Sequence, residues 1–192
     1  IKYIDSGLII EFIEDIYSGL IPELELSANN NQQYSKLYRK NEYVISSEII
    51  TPNELDKISI IYNTSPKTIF EKEVIALNPE MEEEFILING MILTDIKKDT
   101  FYNDMIILIE DSDLAISEKF EIIINPLTIN PTNIPFKKKL KLKYKFDDDS
   151  NYAFYKYNKK KKTWVYSSTS NEGSTIVTRI SSGGTFSILT EA

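Results

Sequence analysis

Chemistry in a protein starts from a short menu of side chains, and this chain lacks two of them. Its 192 residues contain neither histidine nor cysteine. Ser-His-Asp and Cys-His nucleophilic catalysis are therefore excluded. So are the usual zinc sites, which are built from His and Cys. Without cysteine there is no disulfide, and stability must come from packing. What remains is carboxylates, lysines, aromatics and one glycine pair.

The carboxylates are numerous, 29 in all. Glu11, Glu14, Asp15, Glu23 and Glu25 lie close together, and Glu80, Glu82, Glu83 and Glu84 form a second group. A glycosidase needs two carboxylates at a set separation in space. In so acidic a chain some pair always looks suitable, so a solvated face is the better explanation. Asp147-Asp148-Asp149 offers oxygen ligands of the kind calcium takes. No EF-hand spacing or turn glycine accompanies it, and it reads as a polar hairpin end. No metal and no cofactor is expected. Ser182-Gly183-Gly184 precedes a strand-like run, not a helix, so it lacks the geometry of a phosphate loop.

Residues 136–166 hold eleven lysines against three aspartates, and residues 67–121 hold five lysines against fourteen acids. A nucleic-acid binder carries a basic stripe with nothing to cancel it. Here pairing between strands of opposite charge explains both runs, and no nucleic-acid partner is expected. The aromatics are the last option. Tyr152, Phe154, Tyr155, Tyr157, Trp164 and Tyr166 fall on one expected hairpin. Tyr152, Tyr155, Tyr157 and Tyr166 are the candidates for stacking on a sugar ring. The competing explanation places Phe154 and Trp164 in the core and leaves tyrosines on the open face as strand formers.

The elements that must position these groups are strands. Glu23-Leu24-Glu25-Leu26 alternates charge and apolar side chain. Leu140, Leu142, Tyr144 and Phe146 alternate with four lysines, the clearest period of two in the chain. Met105–Ile109 and Phe120–Ile124 are near-continuous apolar runs suited to central strands. Asn89-Gly90 between Phe85–Ile88 and Met91–Leu93 signals a hairpin, because both residues tolerate positive φ. Leu8–Glu14 reads as one strand. Pro126, Pro131 and Pro135 mark an irregular crossing. Only single helical turns are conceivable, at Pro52–Leu55 and Pro79–Glu84. No apolar segment reaches the ~20 residues of a membrane helix, and no membrane insertion is expected.

The expected fold is all-β, two tandem immunoglobulin-like β-sandwich modules. Ser65-Pro66 is the boundary: 1–64 forms a small sandwich and 65–192 a larger one. Trp164 is expected inside, against Phe154 and the Leu140–Leu142–Tyr144 strand.

The order of features from Met91 to Leu189 resembles a known family. Met91-Ile92-Leu93 is followed by Thr100-Phe101-Tyr102-Asn103-Asp104 and a strand, then by Phe120–Ile124 with Asn125-Pro126, Pro135-Phe136 and the alternating strand. Tyr155-Lys156-Tyr157, a lysine turn, Trp164-Val165-Tyr166 and Gly184-Thr185-Phe186-Ser187-Ile188-Leu189 complete it. This is similar to the ZU-type β-sandwich, and more so to its bacterial relatives. Those follow the catalytic domain in some lysostaphin-type zinc metallopeptidases of Bacteroidetes-like bacteria. The first ~64 residues resemble the small sandwich that precedes it there. The peptidase histidines have no counterpart here, so the resemblance implies a non-enzymatic accessory module of an extracytoplasmic protein, at the cell surface or in the periplasm. Its expected partners are neighbouring domains of the same polypeptide or another protein. Cell-wall glycan is the alternative. Ile1 in place of a starting Met fits a piece cut from something larger.

Overall fold

A computed structural model of the chain describes residues 1–4, 7–13, 21–28, 31–41, 43–51, 55–132, 134–146 and 151–191. Among them are strands and one short 3-10 turn, Ile88–Gly90, with no α-helix. In chain order the first strands are β1 (Lys2–Ile4), β2 (Gly7–Ile9), β3 (Glu11–Ile13), β4 (Glu23–Ala28), β5 (Asn31–Tyr34), β6 (Leu37–Arg39) and β7 (Val44–Ser47). Then come β8 (Leu55–Tyr62), β9 (Thr68–Leu77), β10 (Phe85–Ile86), β11 (Ile92–Thr94), β12 (Met105–Asp111) and β13 (Phe120–Asn130). The last are β14 (Pro135–Lys145), β15 (Ala153–Asn158), β16 (Thr163–Tyr166), β17 (Thr169–Glu172), β18 (Thr175–Ser182) and β19 (Gly184–Glu191). The all-β expectation holds.

The chain divides into two compact units: Ile1–Asn78 with Asn103–Leu108, and Pro79–Tyr102 with Ile109–Ala192. This corrects the boundary expected at Ser65-Pro66. Those residues turn a β-hairpin, since β8 and β9 pair antiparallel with Ile61 opposite Ile69 and Tyr62 opposite Thr68. Thr64 ties the turn by donating from Oγ1 to the Pro66 carbonyl at 2.6 Å. A Ser-Pro turn signal is the same for a linker and for a hairpin; only the pairing of the flanking strands separates them. Nor are the units consecutive stretches, because the start of β12 belongs with the first.

In the first unit, β5, β4, β8 and β9 are neighbours, β3, β7 and β6 form a small sheet, and β1 pairs with β2. The Glu-Leu-Glu-Leu alternation of β4 buries Leu24 and Leu26. They join Leu8, Ile10, Ile58, Val74, Ile106 and Leu108 in one core. The single strand expected over Leu8–Glu14 is instead two, β2 and β3. Ser47 accounts for the break: its hydroxyl accepts the Ile10 N–H at 3.0 Å. A side-chain acceptor there replaces a ladder partner.

In the second unit two sheets run in the orders β16–β15–β19–β13 and β10–β11–β14–β18–β17. The expected Asn89-Gly90 hairpin is present as β10–β11, with φ of 65° at Asn89 and 76° at Gly90. Leu140 and Leu142 are fully buried, while Lys139 and Lys145 are exposed and Lys141 and Lys143 are partly so, as the alternation of β14 requires. Leu93 and Thr178 flank Leu142 on that inner face. On the other sheet Phe154 faces Ile188, and Leu127 faces Phe186, all buried. A hydrogen bond of 2.9 Å between the Ser167 and Thr178 hydroxyls spans the two inner faces. The arrangement is sandwich-like. Pro126 does not open an irregular crossing: β13 runs through it to Asn130, with an irregular register between Ile124 and Leu127. Such a bulge accommodates a residue with no N–H to give.

Candidate functional site

The four candidate tyrosines and Trp164 lie on or beside the β15–β16 hairpin. Its turn is set locally: Asn158 Oδ1 accepts the N–H groups of Lys160 and Lys161, each at 3.0 Å, and Lys162 takes a φ of 50°. This is an Asx-type turn, which leaves four consecutive lysines facing solvent. Tyr155 stands opposite Tyr166, Lys156 opposite Val165, and Tyr157 opposite Trp164. Side chains alternate between faces along a strand. The hairpin therefore has an aromatic face of Tyr155, Tyr157, Trp164 and Tyr166. Its other face holds Phe154, Lys156, Asn158, Val165 and Ser167.

This corrects the expected setting of Trp164. The ring is buried, but on the face opposite Phe154 and away from β14. It clusters with Tyr155 and Leu189, and Leu114, Ile116, Phe120, Ala153 and Tyr157 pack against that cluster. Its indole N–H donates to the Ala115 carbonyl at 3.3 Å. Facing pairs fixed the side: opposite residues share a face, so Trp164 goes with Tyr157.

The tyrosines are mostly engaged with each other and with their neighbours. Tyr155 is 7% exposed, with its ring 4.9 Å from Phe120 and 6.0 Å from Tyr166. Burial, followed by the Glu191 charge, pushes its phenol up from the ordinary value. Tyr157 meets Trp164 at 5.4 Å, and Tyr152 lies 4.5 Å from Phe146. Tyr166 is 56% exposed, and its hydroxyl accepts the Thr169 N–H at 3.0 Å.

On the opposite face Lys156 was not singled out by sequence reasoning. Phe154 at one end of that face is in the sandwich core, and Asn158 at the other is at the turn. Lys156 sits at the transition, half-buried. Its Nζ donates to the Gly183 carbonyl at 3.2 Å and lies 5.2 Å from the Phe186 ring centre. Burial lowers its pKa from the ordinary 10.5. Gly184 makes the room: a Cβ there would stand 2.6 Å from Lys156 Cε. The signal was the glycine pair, whose meaning is close packing and not phosphate binding. Beside Lys156 runs an open groove of about 430 Å³, lined also by Tyr157, Asn158, Lys159, Lys160, Val165, Tyr166 and Ser167.

The carboxylate candidates are dispersed into separate partnerships. Glu11 receives Lys2 and Lys40, each at 2.7 Å, which holds its pKa down to about 2. Glu23 accepts from Asn63 Nδ2 at 2.9 Å, and Glu80 pairs with Lys98 at 2.7 Å. Glu84 accepts from the Thr94 hydroxyl. Glu25 raises the Tyr34 phenol, chiefly by its charge. Glu14, Asp15 and Asp147–Asp149 lie outside the described residues. Of the expected pairing between basic and acidic runs, Lys137 with Asp99 at 3.3 Å is one instance. Lys97, then Lys141 and Arg179, lower the Asp95 carboxyl. Lys141 also reaches Glu172 at 3.7 Å. Among the described residues no group of three or more acids could hold a metal ion, and no helix is long and apolar enough to cross a membrane.

Comparison with protein-family models, with curated proteins and with solved structures finds no match to this chain. The fold and the hairpin together define an all-β, sandwich-like protein with a closed aromatic face and an open lysine-lined groove.

Proposed function

We propose that the chain is a non-catalytic accessory module of a larger bacterial protein of the cell surface or periplasm. It serves as a rigid spacer or as a docking surface for a neighbouring domain or another protein. On this reading the units are immunoglobulin-like, the second of the ZU type, and the parent is a peptidase or an anchored protein. One observation carries the reading. Three of the four candidate stacking rings, Tyr152, Tyr155 and Tyr157, already lie against Phe146, Phe120 and Trp164. A ring packed against its neighbours inside the protein offers less of its surface to a sugar, and part of its energy already goes into packing.

The second reading is a carbohydrate- or peptidoglycan-binding module, favoured by Tyr166, which is exposed beside the groove. Calorimetric titration with soluble peptidoglycan fragments and neutral oligosaccharides separates the two. The accessory reading expects no heat of binding. It also expects measurable binding to the separately purified neighbouring domain of the parent polypeptide. Saturable glycan binding lost in Tyr166→Ala would replace it with the second reading.

A further inference from the structure

We propose that the free edge of β16 is a strand-addition site for an extended, acidic segment of a partner protein, whose carboxylates are received by Lys156, Lys159 and Lys160. The proposal rests on the docking reading above and names the surface and the partner's chemistry.

The edge follows from the register. Among the described residues β16 is outermost in its sheet and pairs only with β15. The Ser167 N–H donates to the Phe154 carbonyl at 2.8 Å. In an antiparallel ladder, hydrogen-bonded and non-hydrogen-bonded pairs alternate. Tyr155–Tyr166 and Tyr157–Trp164 are then the non-hydrogen-bonded pairs. The N–H and C=O groups of Trp164 and Tyr166 therefore point away from β15, toward the open side. Of these four groups, the Trp164 carbonyl takes a long contact of 3.4 Å from Thr163 Oγ1. An added strand would meet a short row of main-chain donors and acceptors, the mode by which sheets recruit extended peptides.

The groove and the lysines supply selectivity. A strand laid beside β16 projects alternate side chains toward the groove that Lys156, Lys159 and Lys160 line. None of Lys159, Lys160, Lys161 and Lys162 has an ion pair with a described residue. Lys156 is half-buried against neutral acceptors, so an incoming carboxylate meets an ammonium already stripped of much of its water. Charges of one sign on an edge repel a like-charged strand, the usual defence against aggregation. Here the same charges reject a second copy's β16 and admit an acidic strand. Two other edge strands differ. β5 (Asn31–Tyr34) is bordered by the carboxylate of Glu25, and β17 has its own Glu172 drawn to Lys141.

The test uses the whole chain and a labelled eight-residue peptide of alternating Glu and Val with blocked ends. Its Lys–Val counterpart and an alginate oligomer are the controls. Fluorescence anisotropy reads affinity, and amide hydrogen exchange reads the edge. Binding of the Glu–Val peptide alone, with slowed exchange at Trp164 and Tyr166, is expected. Tyr166→Pro removes one outward N–H without touching the ladder. It should weaken binding about tenfold more than Tyr166→Ala, the equivalent of one hydrogen bond. Lys159→Glu with Lys160→Glu should weaken it by about tenfold or more.

Binding that survives Tyr166→Pro, or leaves both amides unprotected, overturns strand addition. So does the absence of peptide binding; if the lysine-reversed chain still binds its neighbouring domain, the docking reading stands and only this surface is wrong. Alginate binding without peptide binding overturns both.

Discussion

The two faces of the β15–β16 hairpin come from the same few residues and end differently. The aromatic face is closed by the segment carrying Leu114, Ala115 and Ile116, which covers Trp164 and takes its indole N–H. The opposite face starts in the sandwich core at Phe154 and runs out past Lys156 into an open groove. One face has found its partner within the chain around Tyr155 and Trp164, with Tyr166 left exposed at its end. The other ends in a half-buried cation held by a carbonyl and a hydroxyl, with no ion pair to an acid among the described residues. A face rich in large rings attracts a functional interpretation, but rings that satisfy one another are scaffold. The unremarkable lysine across the pleat is the group with chemistry to spare.

Breaking the closed face should have the largest effect. Trp164→Ala removes a buried ring from the cluster it forms with Tyr155 and Leu189. It should cost about 3–5 kcal/mol in chemical denaturation, the range for emptying a large aromatic site. A loss comparable to that of an exposed residue would mean the cover over Trp164 is not part of the folded structure.

The glycine pair beside Lys156 sharpens the contrast. A Cβ on Gly183 would stand 2.3 Å from the Ile129 carbonyl oxygen and 2.4 Å from that of Pro131. Main chain must move, so Gly183→Ala should cost about 1–3 kcal/mol. At Gly184 the obstacle is the end of the Lys156 side chain, which can swing into the groove. Gly184→Ala should therefore cost less than Gly183→Ala in the same denaturation series, while the lysine gives up its hold on Gly183. Equal costs would mean that Lys156 is as fixed as the main chain.

How much of this was legible in the residues depends on how far apart the deciding contacts lie. The alternation in β4 and β14 and the Asn89-Gly90 hairpin were readable, because strand period and turn chemistry are local. The face taken by Trp164 was not, because it depends on whether Tyr157 or Phe154 stands opposite, a register set by the turn length at Lys159–Lys162. The cover from Leu114 and Ile116 comes from about fifty residues away in sequence, and nothing local announces it. β17, Thr169–Glu172, is polar throughout and carries no period. The hairpin at Ser65-Pro66 passed for a linker for the same reason: pairing partners are invisible to a local pattern. Of the candidate site, the hairpin was found and Lys156 was hidden within a lysine count.

Charge gives the two smaller effects. Burial lowers the Lys156 pKa, so the unfolded chain binds that proton more tightly and the charged group costs stability in the fold. Lys156→Met keeps the stem and should be at least as stable as the parent at neutral pH. That advantage should shrink as pH rises toward 10.5, because the folded parent sheds the proton below that value. An advantage that grows with pH would mean the ammonium is favourably bound. Glu11 is the opposite case, a carboxylate between two lysines. Its contribution is present above the ordinary 4.5 and lost as pH falls from there toward about 2. Acid denaturation of Glu11→Gln should lack that component, and an unchanged profile would mean the two lysines do not hold it in solution.

The central claim is that the aromatic face is closed over Trp164, and the chain's single tryptophan reports on it directly. Tryptophan emission of the native chain, with acrylamide as quencher, should be blue-shifted and poorly quenched. It should be unchanged by soluble peptidoglycan fragments. Red-shifted, freely quenched emission, or a large response to those fragments, would place Trp164 at the surface and contradict the account.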